Sequence, residues 1–300
     1  MRKILSFILS IIILVIPGCA GNDETTQNNK LKIVTTIFPL YDFAKQIAGD
    51  RAEVDMLLPT GREAHSYEPT VQDIIKINES DLFINIGGSA DPWVEAISKD
   101  ENKSNTRIMS AINVVDTIKE NHHDIYSVDE HIWTSPENAE DIIEAIANLL
   151  AQMDPKNKDF YEKNEEIYSN KLDKLDEKFE RLTKNNNKKI VFADRFPFKY
   201  LAEEYNLEYF SAFPGCSSES EPSAATISQL IETIKNENIN VVFYTETSNQ
   251  KLADTISGET GAKKLMLHSC HSVTDEQLKK GITYLELMEN NYQSLKEGLK

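Results

Sequence analysis

The feature that most constrains the fold is a stretch of about 28 residues, from Lys156 to Thr183, that contains neither glycine nor proline. Asp154 and Pro155 precede it, as in a helix cap followed by proline in the first turn. Its apolar residues keep mostly to three- and four-residue steps: Tyr161, Tyr168, Leu172, Leu175, Phe179 and Leu182. A helix of this length spans about 40 Å, more than one small domain needs. The sequence therefore predicts a helix over 154–184 that connects two folded parts.

Short strands and helices alternate on both sides of this helix. Before it, strands are predicted at 31–37, 53–58 and 82–86, with helices at 40–48, 70–77, 92–97 and 136–151. After it, strands are predicted at 189–193, 208–212, 240–244 and 264–267, with helices at 199–205, 224–235, 251–257 and from 285 onward. Such alternation favours mostly parallel sheets. We expect two doubly wound α/β lobes, residues 31–153 and 185–300, with a ligand cleft between them.

The amino terminus has the features of an export signal. Basic residues precede an apolar run from Ile4 to Ile16 that is too short for a stable membrane span. The run leads into Ile16-Pro17-Gly18-Cys19, which resembles the lipobox of bacterial lipoproteins; the alternative is an ordinary secretory signal with an incidental cysteine. We predict a signal peptide over 1–18, lipid attachment at Cys19, a flexible tether over 19–30 and anchoring to the outer face of the cell membrane.

Charge and cysteine content exclude two classes of protein. The formal charge is −17, with 49 acidic against 32 basic residues, so a phosphate-binding surface for nucleic acid is not expected. Besides Cys19 there are two cysteines, Cys216 and Cys270, which excludes a scaffold held by many disulfides. A single disulfide between these two cysteines remains an alternative, because exported proteins meet oxidising conditions.

The histidines fall outside the apolar centres of the predicted elements. The six are His65, His122, His123, His131, His268 and His271. His65 and His268 follow predicted strands, and ligands of parallel α/β sheets bind beyond the carboxyl ends of the strands. Imidazole suits zinc, copper, nickel or iron, whereas magnesium and calcium prefer oxygen. The pattern favours a transition-metal site, with solvated surface histidines as the alternative.

Two longer motifs carry a resemblance to a known family. Residues 61–70 (GREAHSYEPT) and 129–139 (DEHIWTSPENA) resemble the first and second ligand motifs of the metal-binding lipoproteins of zinc and manganese ABC importers. Further similar features are Asp154-Pro155 with Tyr161 and Asn164, Glu221-Pro222-Ser223, and Glu259-Thr260-Gly261-Ala262. The resemblance runs from about Leu31 to the end. It implies a monomeric, non-enzymatic protein that holds a metal ion in the cleft and delivers it to an ABC permease.

The resemblance also implies a ligand set. His65 and His131 match ligands of the first lobe, and the family's fourth ligand, an aspartate, falls on His268. The third falls on Ala193 or Arg195, neither of which can bind a metal. We therefore predict His65, His131 and His268 as ligands.

The missing donor has several candidates in the second lobe. Cys216 is the predicted fourth ligand, and the alternatives are Asp194, Cys270, His271 or a water molecule. Glu246 is expected either to pair with Arg195 or to hydrogen-bond a ligand imidazole.

Nitrogen and sulphur donors favour Zn²⁺ over Mn²⁺. His122 and His123 are interpreted as a solvated loop, with weak metal collection as the alternative. Competing functions are binding of a metal chelate, adhesion, or zinc-dependent hydrolysis on a lipid anchor. The sequence has no His-Glu-x-x-His and no Gly-x-Ser-x-Gly motif, which disfavours the hydrolase.

Overall fold

A computed structural model describes residues 30–88, 90–98, 105–122, 125–184, 188–213 and 222–300. The predicted signal peptide, Cys19, most of the tether, His123 and Cys216 lie outside these residues. Among the described helices, none combines the length and apolar character needed to cross a bilayer.

The first lobe is built around a four-stranded parallel sheet. Its strands are β1 (Leu31–Thr35), β2 (Ala52–Met56), β3 (Leu82–Asn85) and β4 (Arg107–Ser110), in the order β2-β1-β3-β4. Its helices are α1 (Phe38–Ala48), α2 (Val71–Asn78), α3 (Pro92–Ser98) and α4 (Pro136–Met153). A separate antiparallel hairpin consists of β5 (Lys119–His122) and β6 (Ile125–Val128). The apolar strands β1 and β3 form the centre of the sheet, where both faces are covered.

The connecting helix agrees with the prediction. A 3-10 turn at Pro155–Asn157 leads into α5 (Lys158–Thr183), a helix of 26 residues. Its predicted apolar stripe is buried from Tyr161 to Phe179. The Tyr161 hydroxyl donates to Asp154 Oδ2 at 2.9 Å and so ties the helix to the turn that precedes it.

The second lobe repeats the architecture with a second parallel sheet. Its strands are β7 (Lys189–Phe192), β8 (Glu208–Ser211), β9 (Val241–Tyr244) and β10 (Lys263–Met266), in the order β10-β9-β7-β8. Its helices are α6 (Lys199–Glu204), α7 (Ala224–Glu237), α8 (Lys251–Thr260), α9 (Asp275–Lys279) and α10 (Tyr284–Gly298). The predicted fold class, two α/β lobes joined by a long helix, is confirmed.

The two lobes share part of their core. Asp42 of α1 accepts the hydroxyl of Tyr168 on α5 at 3.1 Å and the backbone N–H of Tyr284 on α10 at 2.8 Å. The ring of Tyr284 packs edge-on against Phe43, with centroids 4.8 Å apart. One hydrophobic cluster accordingly contains buried residues from both sheets and from α5. The C-terminal helix thus returns to the first lobe and contacts α1.

Candidate metal centre between the lobes

His65 lies on a loop that follows β2. It sits in a 3-10 turn, Ala64–Ser66, and its side chain is 27% exposed. At the base of the loop, the Gly61 N–H lies 2.9 Å from Val273 O and 3.0 Å from Ser272 Oγ, both in the second lobe. Gly61 has a φ of +70°, which glycine adopts without steric cost. The loop is therefore anchored across the cleft at its base, while His65 itself reaches solvent.

His131 is held rigidly by the residue two positions before it. Asp129 Oδ1 accepts the backbone N–H of His131 and lies 2.9 Å from His131 Nδ1. The second lobe in turn braces Asp129: Lys199 Nζ is 3.7 Å from its carboxylate, and the Tyr200 hydroxyl donates to its carbonyl oxygen at 2.7 Å. His131 is buried, with 1% of its surface exposed. Because Nδ1 faces Asp129, this contact orients the ring so that Nε2 is the nitrogen suited to a metal ion.

His271 lies on the loop that follows β10, and hydrogen bonds fix this loop from several sides. Glu246 accepts both the backbone N–H and the hydroxyl of Ser269, at 2.8 and 2.6 Å. Trp133 of the first lobe donates its indole N–H to Ser269 O at 2.8 Å. Between Ser269 and His271, Cys270 adopts a φ of +64°, a conformation that costs a non-glycine residue about 1 kcal/mol.

These three histidines converge on one point. One ligand atom from each lies within 4.8 Å of the others. The ring centroid of His271 is 4.9 Å from that of His131 and 5.1 Å from that of His65, and Trp133 packs against His271 at 4.6 Å. Three convergent imidazoles are a typical donor set for zinc.

His268 lies outside this group, so the expectation that it is a ligand does not agree with the geometry. Its Nδ1 accepts the backbone N–H of Cys270 at 3.0 Å and lies 3.8 Å from Glu246 Oε2. Its backbone is held by Asn291, which accepts the His268 N–H at 2.7 Å and donates to its carbonyl at 2.8 Å. The physical reason lies in the left-handed conformation of Cys270, whose N–H occupies His268 Nδ1, so that His271 and not His268 joins the group.

Two other donors suggested for the second lobe, Cys270 and Asp194, are also outside the histidine group, whereas Cys216 is not among the described residues. Cys270 is a free, buried thiol, and burial raises its pKa well above the usual range. Asp194 accepts the Thr245 hydroxyl at 2.6 Å and lines a separate cavity, together with Ala193 and Arg195. Glu246, expected near a ligand imidazole, acts through Ser269 on the loop that carries His271.

The environment favours the neutral form of the histidines of this loop. Burial lowers the pKa of His271 well below its usual range, and the nearby His131, His65 and His268 lower it further. Burial also lowers the pKa of His268, against the opposing influence of Glu246. A neutral imidazole has a lone pair available at neutral pH, as metal coordination requires.

A small cavity of about 20 Å³ adjoins His65 and His271, which is room for about one water molecule. Asp91 and Thr36 line its inner side. The Asp91 carboxylate accepts the backbone N–H of Ile86 at 2.8 Å, and burial raises its pKa to about 6. The surroundings of the histidine group therefore include polar groups as well as the apolar wall that Trp133 provides.

Two parallel α/β lobes, a single long helix between them and a histidine cluster in the cleft define a metal-binding component of an uptake system. The chain belongs to the family of the periplasmic component A of the zinc-uptake complex (ZnuA), whose sequence profile matches residues 33–298.

Individual relatives agree with this assignment. The high-affinity zinc uptake system protein ZnuA of Bacillus subtilis is 33% identical over 98% of this chain and 96% of its own length. The crystal structure of the metal-dependent lipoprotein YcdH from Bacillus subtilis superimposes with a TM-score of 0.78, at 34% identity over 90% of this chain and 99% of that one. Zn(II)-bound AdcA from Streptococcus pneumoniae gives a TM-score of 0.78 at 34% identity. This chain spans 58% of the AdcA chain, so the remainder of AdcA has no counterpart in the comparison.

Proposed function

We propose that this protein captures zinc outside the cytoplasm and passes it to the membrane subunits of an ABC-type permease. The observation that carries the proposal is the convergence of His65, His131 and His271 within 4.8 Å. Membership of the zinc-uptake family and the zinc-bound relatives support the same cargo. Nitrogen donors favour Zn²⁺ over Mn²⁺, because manganese prefers oxygen.

The proposed ligands are His65, His131 and His271. Asp129 and Glu130 face the Nδ1 atoms of His131 and His65, at 2.9 and 3.1 Å. Carboxylates in this position fix the tautomer and increase the basicity of the opposite nitrogen, so Nε2 is the proposed donor in both. Cys216 stays a sequence-based prediction for the fourth ligand, with water as its alternative, and Cys216→Ser tests it in the same zinc titration.

The chain's role is proposed to be that of a monomeric carrier and not of an enzyme. Its proposed divisions are a signal peptide over 1–18, a tether over 19–30, lobes over 31–153 and 185–300, and the connecting helix over 154–184. Cys19 is proposed to carry the lipid that anchors the protein to the cell membrane. We expect Cys19→Ala to bind zinc normally but to appear in the soluble fraction of a host that processes lipoproteins; a fully membrane-bound variant would contradict the anchor.

The deciding experiment compares two histidines of the same loop. We expect His271→Ala to lower zinc affinity by roughly one to three orders of magnitude, since it removes one of three donors. His268→Ala should change zinc affinity less than about tenfold, because its imidazole accepts a backbone N–H away from the group. Competition with a chromogenic chelator measures both, with circular dichroism to verify folding. A larger loss of zinc affinity in His268→Ala than in His271→Ala would overturn the ligand set. A wild-type protein that binds no zinc would overturn the proposed function.

A further inference from the structure

A second cavity lies at the carboxyl edge of the second sheet. In the order β10-β9-β7-β8, the chain passes from β7 to β8 on one side and then to β9 on the other, so the direction of winding reverses between β7 and β9. Ligands of open parallel sheets bind beyond the carboxyl ends of the strands at this kind of crevice. Residues that follow β7 and β9 line a cavity of about 440 Å³ there, a size typical of small-molecule sites.

The lining carries both signs of charge. Arg195 and Lys251 are its cations, and Asp194 and Glu63 are its acids. Glu63 comes from the His65 loop of the first lobe, so both lobes contribute to the lining. The lining also includes neutral polar residues, among them Thr247, Ser248 and Asn249, and an apolar part: Ala193, Phe213, Pro222, Ile227 and Leu252.

Arg195 is the residue of the lining that most strongly indicates a bound ligand. It is half-buried, and its guanidinium makes no ion pair within the described parts of the chain. The neighbouring carboxylate of Asp194 is engaged elsewhere, because Oδ1 accepts the Arg195 backbone N–H at 2.9 Å and Oδ2 accepts the Thr245 hydroxyl. A guanidinium offers paired donors that match a carboxylate in a bidentate fashion. Lys251 begins α8, and the partial positive charge of that helix end adds to the attraction.

We propose that this cavity binds a small amino-carboxylate of amino-acid or dipeptide size. The ligand carboxylate contacts Arg195 and Lys251, and its ammonium group contacts Glu63. Since Asp194 is already engaged, the described lining sets two cations against one available acid, Glu63, and so complements an amino acid with a second carboxylate better than a simple anion. The site adjoins the histidine group through Glu63, whose Oε1 lies 3.5 Å from the backbone N of His65, but Arg195 and Lys251 are not among the proposed zinc ligands.

Isothermal titration of the metal-free and zinc-loaded protein with L-aspartate, L-glutamate and glycyl-glutamate tests the site. We expect at least one of these probes to bind both forms with a dissociation constant below about 1 mM. Arg195→Ala should weaken that binding about tenfold or more while zinc affinity is retained, and Arg195→Lys should weaken it less, because the charge remains.

Arg181→Ala is the matched control, since that guanidinium already pairs with Glu177 at 3.1 Å on the surface of α5. It should leave the binding of the probes unchanged. The proposal is overturned if none of the three probes binds the wild-type protein, or if Arg195→Ala binds them as well as the wild type does. Succinate, which lacks the ammonium group, should bind at least tenfold more weakly than aspartate; equal binding would overturn the assignment of a zwitterion.

Discussion

Two carboxylates hold the histidines of the first lobe in different ways. Asp129 is buried, contacts both the backbone and the ring of His131, and is braced by Lys199. Glu130 contacts the ring of His65, which is partly exposed on its loop. His131 is consequently preset for coordination, whereas the position of His65 depends on its loop.

Asp129→Asn is expected to lower zinc affinity by about ten- to a hundredfold. The amide preserves the size of the side chain but removes the charge that orients the ring of His131 and makes its Nε2 more basic. Chelator competition at neutral pH measures the effect. Asp50→Asn, whose side chain is 76% exposed, serves as the control and should behave as wild type. Equal affinities for both variants would mean that Asp129 has no role in zinc binding.

The sequence predicted part of the histidine cluster. His65 and His131 belong to long motifs, and the structure brings them together. The third histidine was assigned to position 268, with 271 as an alternative, because both lie in one polar loop after a strand. Which of the two histidines joins the cluster depends on the positive φ of Cys270 and on the hydrogen bond from its N–H to His268. Neither feature can be recognised from residue type.

At the scale of secondary-structure elements, α6 of the second lobe meets the start of α4 in the first. Glu204, at the end of α6, lies near the Ser135 hydroxyl and the Glu137 backbone N–H, and Glu204 Oε2 is buried without a hydrogen-bond partner in the described residues. Burial raises the pKa of Glu204 to about 7. Contact between these two helices therefore depends on the charge of one carboxyl group.

Glu204→Gln is expected to stabilise the protein at pH 8 relative to wild type, and much less at pH 5. A folded-state pKa above the unfolded one means that the carboxyl favours folding at low pH and that this stability is lost as pH rises toward about 7. The change in the free energy of unfolding that Glu204→Gln causes should be about 2–3 kcal/mol larger at pH 8 than at pH 5. Urea unfolding measures it, with the adjacent, exposed Glu203→Gln as control. A substitution effect independent of pH would exclude this role for Glu204.

Strongly periodic elements were predictable, and weak ones were not. The buried stripe of α5 has clear periodicity, and β1 and β7 are continuous apolar runs, so their positions agree within a few residues. β4 was missed because it is an edge strand with one buried residue, Met109. The β5–β6 hairpin was missed because its sequence, Lys119–His122 followed by Ile125–Val128, is largely polar.

At the scale of the whole molecule, the shared core makes the lobes one thermodynamic unit. Zinc in about hundredfold excess over its dissociation constant should stabilise the folded state by about 2.7 kcal/mol. For a chain of this size, that corresponds to a rise in melting temperature of about 5 °C. Calorimetry with and without zinc measures the shift, and a single transition is expected in both. The His271→Ala variant should show a smaller rise, and an unchanged wild-type melting curve would contradict specific zinc binding.

The unequal exposure of the three histidines has a kinetic consequence. His131 and His271 are buried and fixed by both lobes, and α10 keeps those lobes together, whereas His65 sits at the rim. Dissociation of the cargo should therefore be stepwise, with the bond to His65 breaking first. The rate of exchange is then set by excursions of the loop around residues 62–68 and not by opening of the two lobes. A membrane receptor that captures this loop would turn a slowly exchanging carrier into a fast donor without unfolding any part of its core.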